Sequence, residues 1–461
     1  MCLHMKFLLQ FNIVIFLISL VIGNVFCAQK KPSEESVITL KQAIEIALQN
    51  NRSLKQSQLN ITSSELSVET TQYEFDIKVR PATAINFSSE SQYWAGGFEV
   101  AKKSEIGFTT SITPLIEHNG DEYTSAIKVS LNVPLLNGLG TDYNLDGLYS
   151  SIYSLENAKR SYYQQQVSLV LDTISTVYEI IKSQQQINLL TTQTNALKRN
   201  LSLTKVKEKI GLATAMDLYR VEIRLKEVQS ELTPVYEQLK NQTDQLTDLL
   251  ARPIHGNITV AASIEYNPFV TLPEEAIAIA LSNRIEIEQA KRRTEESTRK
   301  LILAKNNILP KIDLEMNYRK SGNNELFDLS EENWFISLNG PTDIFRSEEK
   351  AAFNQANISL TKTKIDLENL KQRIMREVRA QINQMEKNKQ LIANRIEQAR
   401  QAEGKLKLAL SKFNHGLADN FDLIESQTQI QQVQSDLLFD KINYIVDTYK
   451  LRKVLGTLID R

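Results

Sequence analysis

Few residues in this 461-residue chain are placed for catalysis or metal binding. His118, His255 and His415 are scattered, with no pair at metal-ligand spacing and no cysteine nearby. Surface or loop positions account for them, and no metal site is expected. Gly138-x-Gly140 lacks the third glycine of a dinucleotide fingerprint, and no βαβ unit surrounds it. With Pro134 just ahead, it reads as a strand-to-helix junction, where glycine permits an unusual backbone turn. There is no Gly-x-Ser-x-Gly nucleophile motif. The chain is therefore expected to carry no cofactor and to be no enzyme. Asp422 and Glu425 lie three residues apart and share one helix face, where carboxylates favour a first turn through the helix dipole.

Composition narrows the class. Lys and Arg number 54 against 55 Asp and Glu, which leaves no basic excess for nucleic acid. Residues 1–27 read as a signal peptide: Lys6, an apolar run from Phe7 to Ile22, then Asn24. The run is about 16 residues and holds Gln10 and Asn12, too short for a confident span. Acylation of Cys27 is the alternative, against which Phe26 stands where a small residue belongs. Both cysteines, Cys2 and Cys27, fall in this segment, so an exported mature chain uses no disulfide. After Ile22 no stretch of about 18 apolar residues recurs. That excludes a helical inner-membrane transporter but not a β-barrel.

The elements that would position any functional residue come in two copies. Ala43–Asn50 matches Ala276–Asn283, and Pro81 and Pro310 each open an alternating segment. Lys207–Leu218 aligns without gaps on Lys412–Leu423, and the match runs on to Leu232 and Leu437. This predicts a unit of about 200 residues used twice, over 28–250 and 251–461. Thr39 and Gln42 fit a capping box before the first helix. From Asp142 to Ile210, and from Glu348 to His415, there is no Pro and a single Gly. Leu367, Leu370, Ile374, Val378 and Ile382 recur at helical spacing. Each stretch can form a helix of about 90 Å at 1.5 Å per residue, packed in a coiled-coil-like bundle. Gly211 and Gly416 sit where each long helix reverses, each followed by an Asp able to cap the returning helix. Period-two alternation marks half-buried strands at 83–93, 106–112 and 127–133, and again near 312–318 and 334–338. Residues 95–122 read as a long external loop carrying an extra strand. Strands this few cannot close a barrel from one chain, so a barrel would be shared between subunits.

In its doubled order the sequence resembles the TolC family of outer-membrane efflux channels. The likeness rests on 39–54 and its copy at 271–287, the Pro134–Gly140 junction, the paired Gly-Leu-Ala turns and the run Asp422–Gln427. The resemblance implies a mainly α fold with β. Three chains would form one trimeric α/β barrel, with four strands per chain and about twelve in all. Coiled-coil helices would continue it as a periplasmic tunnel girded near 251–271. It implies outer-membrane localisation in a Gram-negative bacterium, no nucleic acid, and service as exit duct for efflux or type I secretion. Partners would be a periplasmic adaptor and an inner-membrane pump. The family's adaptor-docking tips fall on Ile210, Gly211, Leu212 and Ala213, and on Gly416, Leu417 and Ala418; His415 replaces the second tip's apolar residue. Its acidic entrance falls on Asp422 and Glu425, which threefold symmetry would multiply into a cation-favouring ring. Its Arg/Tyr latch is absent, since Ala418 and Phe413 occupy those positions. The competing reading is a periplasmic coiled-coil adaptor, which needs one hairpin and no lipid-facing strands.

Overall fold

The computed structural model describes residues 37–87, 92–119, 122–253, 259–268, 272–323, 329–340, 343–415, 417 and 420–460. The signal segment with Cys27, His255, Gly416 and Ala418 lie outside them.

Strand β1 (Val37–Thr39) leads into α1 (Leu40–Asn50) through the expected capping box. The Gln42 N–H donates to Thr39 Oγ1 at 3.3 Å, and the Thr39 N–H to Gln42 Oε1 at 3.0 Å. Asn51 then caps α2 (Arg52–Gln72). Strands β2 (Lys78–Phe87), β3 (Gln92–Lys103), β4 (Thr109–Asn119) and β5 (Glu122–Pro134) follow. The chain continues as a short α3 (Thr141–Asn144), the 64-residue α4 (Asp146–Lys209) and the returning α5 (Ala215–Leu249). The second half runs β6 (Thr259–Ala261), α6 (Pro273–Asn283), α7 (Ile285–Asn307), β7 (Asp313–Asn323) and β8 (Glu331–Asn339). It ends with the 68-residue α8 (Ser347–Asn414) and α9 (Asn420–Leu455). At 1.5 Å per residue the two long helices each span about 100 Å.

A helix of that length is stable only against neighbours, and each long helix lies antiparallel to its returning partner, α4 on α5 and α8 on α9. On α8 the buried Ile374, Val378, Met385 and Ile392 form a seam of four- and seven-residue steps. They pack on Ala276 and Ala280 of α6 and on Tyr444, Leu451 and Leu455 of α9. Ala43 and Ala47 of α1 do the same against Ile174, Val177 and Ile181 of α4. These alanines are fully buried because a methyl group lets the short helices lie close to the long ones. β1 and β6 pair in parallel beside this belt, with Ile38 and Val260 in the core.

The main sheet is antiparallel, in the order β2-β3-β4-β5-β7-β8. It holds six strands, where alternation marked five and the resemblance implied four. The difference lies in 95–122, read as a long loop carrying one extra strand, where most of β3 and all of β4 run. Two features masked them. Gly96 and Gly97 break the alternation of β3, and Pro114 sits inside β4, where proline argues against a ladder. Both have a packing reason. A Cβ on Gly97 would lie 2.2 Å from the Pro114 carbonyl oxygen, so only glycine lets the strands approach there. The β3–β4 register skips the rungs between Gly97↔Leu115 and Val100↔Ile112, which spares Pro114 a missing donor. Replacing Gly97 by Val should therefore cut the yield of folded protein several-fold, through an overpacking cost of at least about 1–3 kcal/mol. Gly96→Ala should leave the yield unchanged, because the nearest atom to its Cβ is Trp94 Cζ3 at 3.9 Å. Refolding yield by circular dichroism reads both.

Candidate functional site

Three places in the fold gather the residues of interest: the helical tips, the strand-to-helix junction and the two faces of the sheet.

At the first tip α4 ends on Lys209, and Gly211 follows in the left-handed region at φ 76°. The Gly211 N–H donates to Glu208 O and the Leu212 N–H to Lys207 O at 2.8 Å, which satisfies the last carbonyls. The second tip repeats the bond, with the Leu417 N–H donating to Lys412 O at 2.8 Å. Thr214, rather than an Asp, caps α5. Its hydroxyl donates to the Asp217 carboxylate at 2.6 Å and its N–H donates to the same carboxylate at 3.0 Å, and these two bonds hold that carboxyl below its usual range, while the Asp217 N–H donates back to Thr214 Oγ1. Ile210 is exposed, Leu212 is 73% exposed and Leu417 78%, with Ala213 half-buried. Such exposure of leucine at two neighbouring turns leaves an apolar surface to be covered.

Asp422 and Glu425 stand on the exposed side of α9, opposite the buried Leu423 and Ser426. Glu425 accepts from Lys405 of α8 at 3.0 Å, a pairing that spacing along one helix did not reveal. Between the tips lies a feature the sequence reading missed. Asn200 of α4 donates to Asn420 Oδ1 at 2.9 Å, and Asn420 donates to Thr204 Oγ1 at 3.0 Å. All three side chains are buried, so they join the two helical hairpins through a closed polar cluster. Beside it Lys207 lies 3.6 Å from the ring centroid of Phe413 and donates to its carbonyl. The signal the sequence held was Asn200 itself, a polar residue three positions after Leu197 on the apolar side of α4.

The junction closes on Gly138 and Gly140, at φ 90° and 104°. The Gly138 N–H donates to Asn306 Oδ1, and Asn144 donates to the carbonyls of Gly138 and Gly140. The Gly140 N–H donates to Ile106 O at 3.0 Å, which ties in the β3–β4 turn. Gly107 in that turn sits so close to the Gly138 carbonyl that a Cβ would lie 2.6 Å away. Pro134 ends β5 opposite Asp313. Nearby, Asp146 at the start of α4 lies between Arg299 and Lys300 of α7. Burial pushes its carboxyl up, but hydrogen bonds from the two cations outweigh this and hold it below the usual range.

Along the sheet the strand register aligns Val79, Val100, Ile112, Val129, Tyr318 and Trp334 in one row. Exposed Ile85, Phe98, Met316, Ile336 and Leu338 share that apolar face. Trp94, His118 and Tyr123 cluster at its far end, with centroids 4.4–6.0 Å apart, so His118 is a ring in an aromatic group. The other, hollow face carries Arg80, Glu99, Glu117, Lys128 and Arg319. Among the described residues no group of His, Cys, Asp and Glu is placed to hold a metal ion, and no helix is long and apolar enough to cross a membrane.

Truncating Asn420 to Ala should strand Asn200 and Thr204 in the core, at a cost of about 1–3 kcal/mol. Trypsin should then cut faster at Lys207 and Lys412, while Asn414→Ala, at an exposed position, leaves the cleavage rate unchanged. Limited proteolysis of the two variants checks this.

Residues 276–457 match the family described as outer membrane efflux protein. The outer membrane protein TolC of Vibrio cholerae is 20% identical over 332 residues, 68% of this chain and 74% of that protein. A probable efflux pump outer membrane protein, TtgC of Pseudomonas putida, is 20% identical over 90% of this chain and 82% of its own. Among solved structures, the outer membrane protein VceC of Vibrio cholerae superposes with a TM-score of 0.70 at 15% identity, over 90% of this chain and 96% of that one. The CmeC outer membrane channel of Campylobacter jejuni gives 0.70 at 13% identity, over 94% and 91%. With the efflux-protein sequence signature across 276–457 and the channel fold across nine-tenths of its length, this chain resembles the TolC family of outer-membrane efflux proteins.

Proposed function

We propose that the protein is the outer-membrane exit duct of a tripartite efflux or type I secretion assembly, conducting cargo passively from a pump and adaptor across periplasm and outer membrane. The observation that carries this reading is the sheet. One face is apolar and exposed, the other hollow and charged, and the sheet joins helices about 100 Å long. A sheet with lipid outside and water inside has this alternation. An adaptor has no use for it.

One chain leaves β2 and β8 as open edges, so three copies would close the wall and place six tips at the periplasmic end. The exposed Leu212 and Leu417 at those tips are the apolar contacts for an adaptor. Asp422 and Glu425 from three chains would ring the entrance, favouring cations, with Lys405 offsetting part of that charge.

Cross-linking of the purified protein in mild detergent should give a trimer. A monomer that stays soluble without detergent would overturn the reading. Leu212→Asp and Leu417→Asp should each lower export several-fold at normal trimer yield, because a charge enters an apolar contact. In planar bilayers, Asp422→Ala with Glu425→Ala should weaken cation selectivity. Unchanged selectivity in an intact trimer would remove these carboxylates from the entrance.

A further inference from the structure

The β3–β4 hairpin is part of the sheet, hydrogen-bonded between β2 and β5. Inserting two antiparallel strands preserves the direction of every other strand. It also preserves which face each side chain takes, because Val79 and Val129 lie in one row with Val100 and Ile112 between them. Without the hairpin, β2 would meet β5 directly, and each chain would offer four strands. On the hollow face the hairpin supplies Glu99, Thr113 and Glu117, and Arg319 of β7 donates to both Glu117 oxygens. At the helical end it is anchored through Gly107 and the Gly140–Ile106 bond. A flap lying outside the wall would satisfy none of these contacts.

Resting on the channel reading above, we propose that this hairpin sets the width of the exit. Three six-stranded sheets would close an eighteen-stranded barrel rather than a twelve-stranded one. Barrel diameter grows roughly linearly with strand number, so the lumen would be about 1.5 times as wide. At 16–18 strands barrels hold an open aqueous channel. A wall bearing Arg80, Glu99, Lys128 and Arg319 presents both signs of charge to it. The cargo class that fits is bulky and hydrated, rather than a small apolar compound needing a close-fitting apolar wall.

The test uses the full chain in lipid vesicles. Because no cysteine follows Cys27 in the sequence, single cysteines can be introduced and spin-labelled after maturation. Labels at Val100 and Ile112 should meet oxygen in the lipid, while labels at Glu99 and Thr113 should meet a water-soluble nickel complex. Leu131 and Ile336 serve as lipid-facing controls, and Ser130 as the aqueous one. If the controls alternate while all four hairpin labels meet water, the hairpin lies outside the wall and the proposal is overturned. If the controls themselves fail to alternate, the channel reading falls, and this inference with it. Axial cryo-electron projections of the trimer supply an independent measure. Deleting Gln92–Asn119, which joins the end of β2 to the start of β5, should narrow the barrel by about one third. An intact deletion trimer of unchanged diameter would overturn the proposal, and should that variant not assemble, the labels decide alone.

Discussion

A strand that faces lipid must have its backbone groups paired on both sides, because each unpaired N–H or C=O in hydrocarbon costs several kcal/mol. The four inner strands of the sheet meet this condition within one chain, and β2 and β8 meet it on one side only. Those edges also carry some of the most exposed apolar side chains in the protein, Val79, Ile85 and Phe87 on one and Trp334, Ile336 and Leu338 on the other. Under the channel reading proposed above, closing the wall falls to further copies of the chain, and the long helices that leave the sheet would share the symmetry of that closure.

The helices solve a different problem with the same economy. A single seam of Ile374, Val378, Met385 and Ile392 holds a 68-residue helix, leaving most of its surface polar. Narrow seams permit sliding unless something fixes register. Between α4 and α9, Asn200, Thr204 and Asn420 do so near the tips, since a shift of one residue would break the bonds of both Asn200 and Thr204 to Asn420 in the core. Glycines at Gly211, Gly138 and Gly140 then set the reversals, at positive φ where a side chain would be strained.

The junction between sheet and helices is where these two parts meet. Asn137, Asn144 and Asn306 hydrogen-bond carbonyls of α7 and of the Gly138–Gly140 turn. Arg299 and Lys300 clamp Asp146 at the root of α4. The β3–β4 turn is caught in the same knot, so the strand that widens the sheet and the helix that leaves it are fixed to one another.

The sequence alone determined the long helices, their turns and the polarity of the strands. These follow from local rules: missing breakers, heptad spacing, a Gly at each reversal, and side chains that alternate faces. The Thr39–Gln42 box and the seam at Ile374 and Val378 stood where spacing put them. The number of strands was not legible, because Gly96, Gly97 and Pro114 argue locally against strands and acquire their reason only when β3 and β4 lie side by side. Nor was the pairing of Glu425 with Lys405, or of Asn200 with Asn420, since each joins residues on different helices. Sequence records what a side chain can do along its own element. Which partner it meets across elements is decided by packing, where a contact depends on the relative positions of two helices or two strands rather than on either alone.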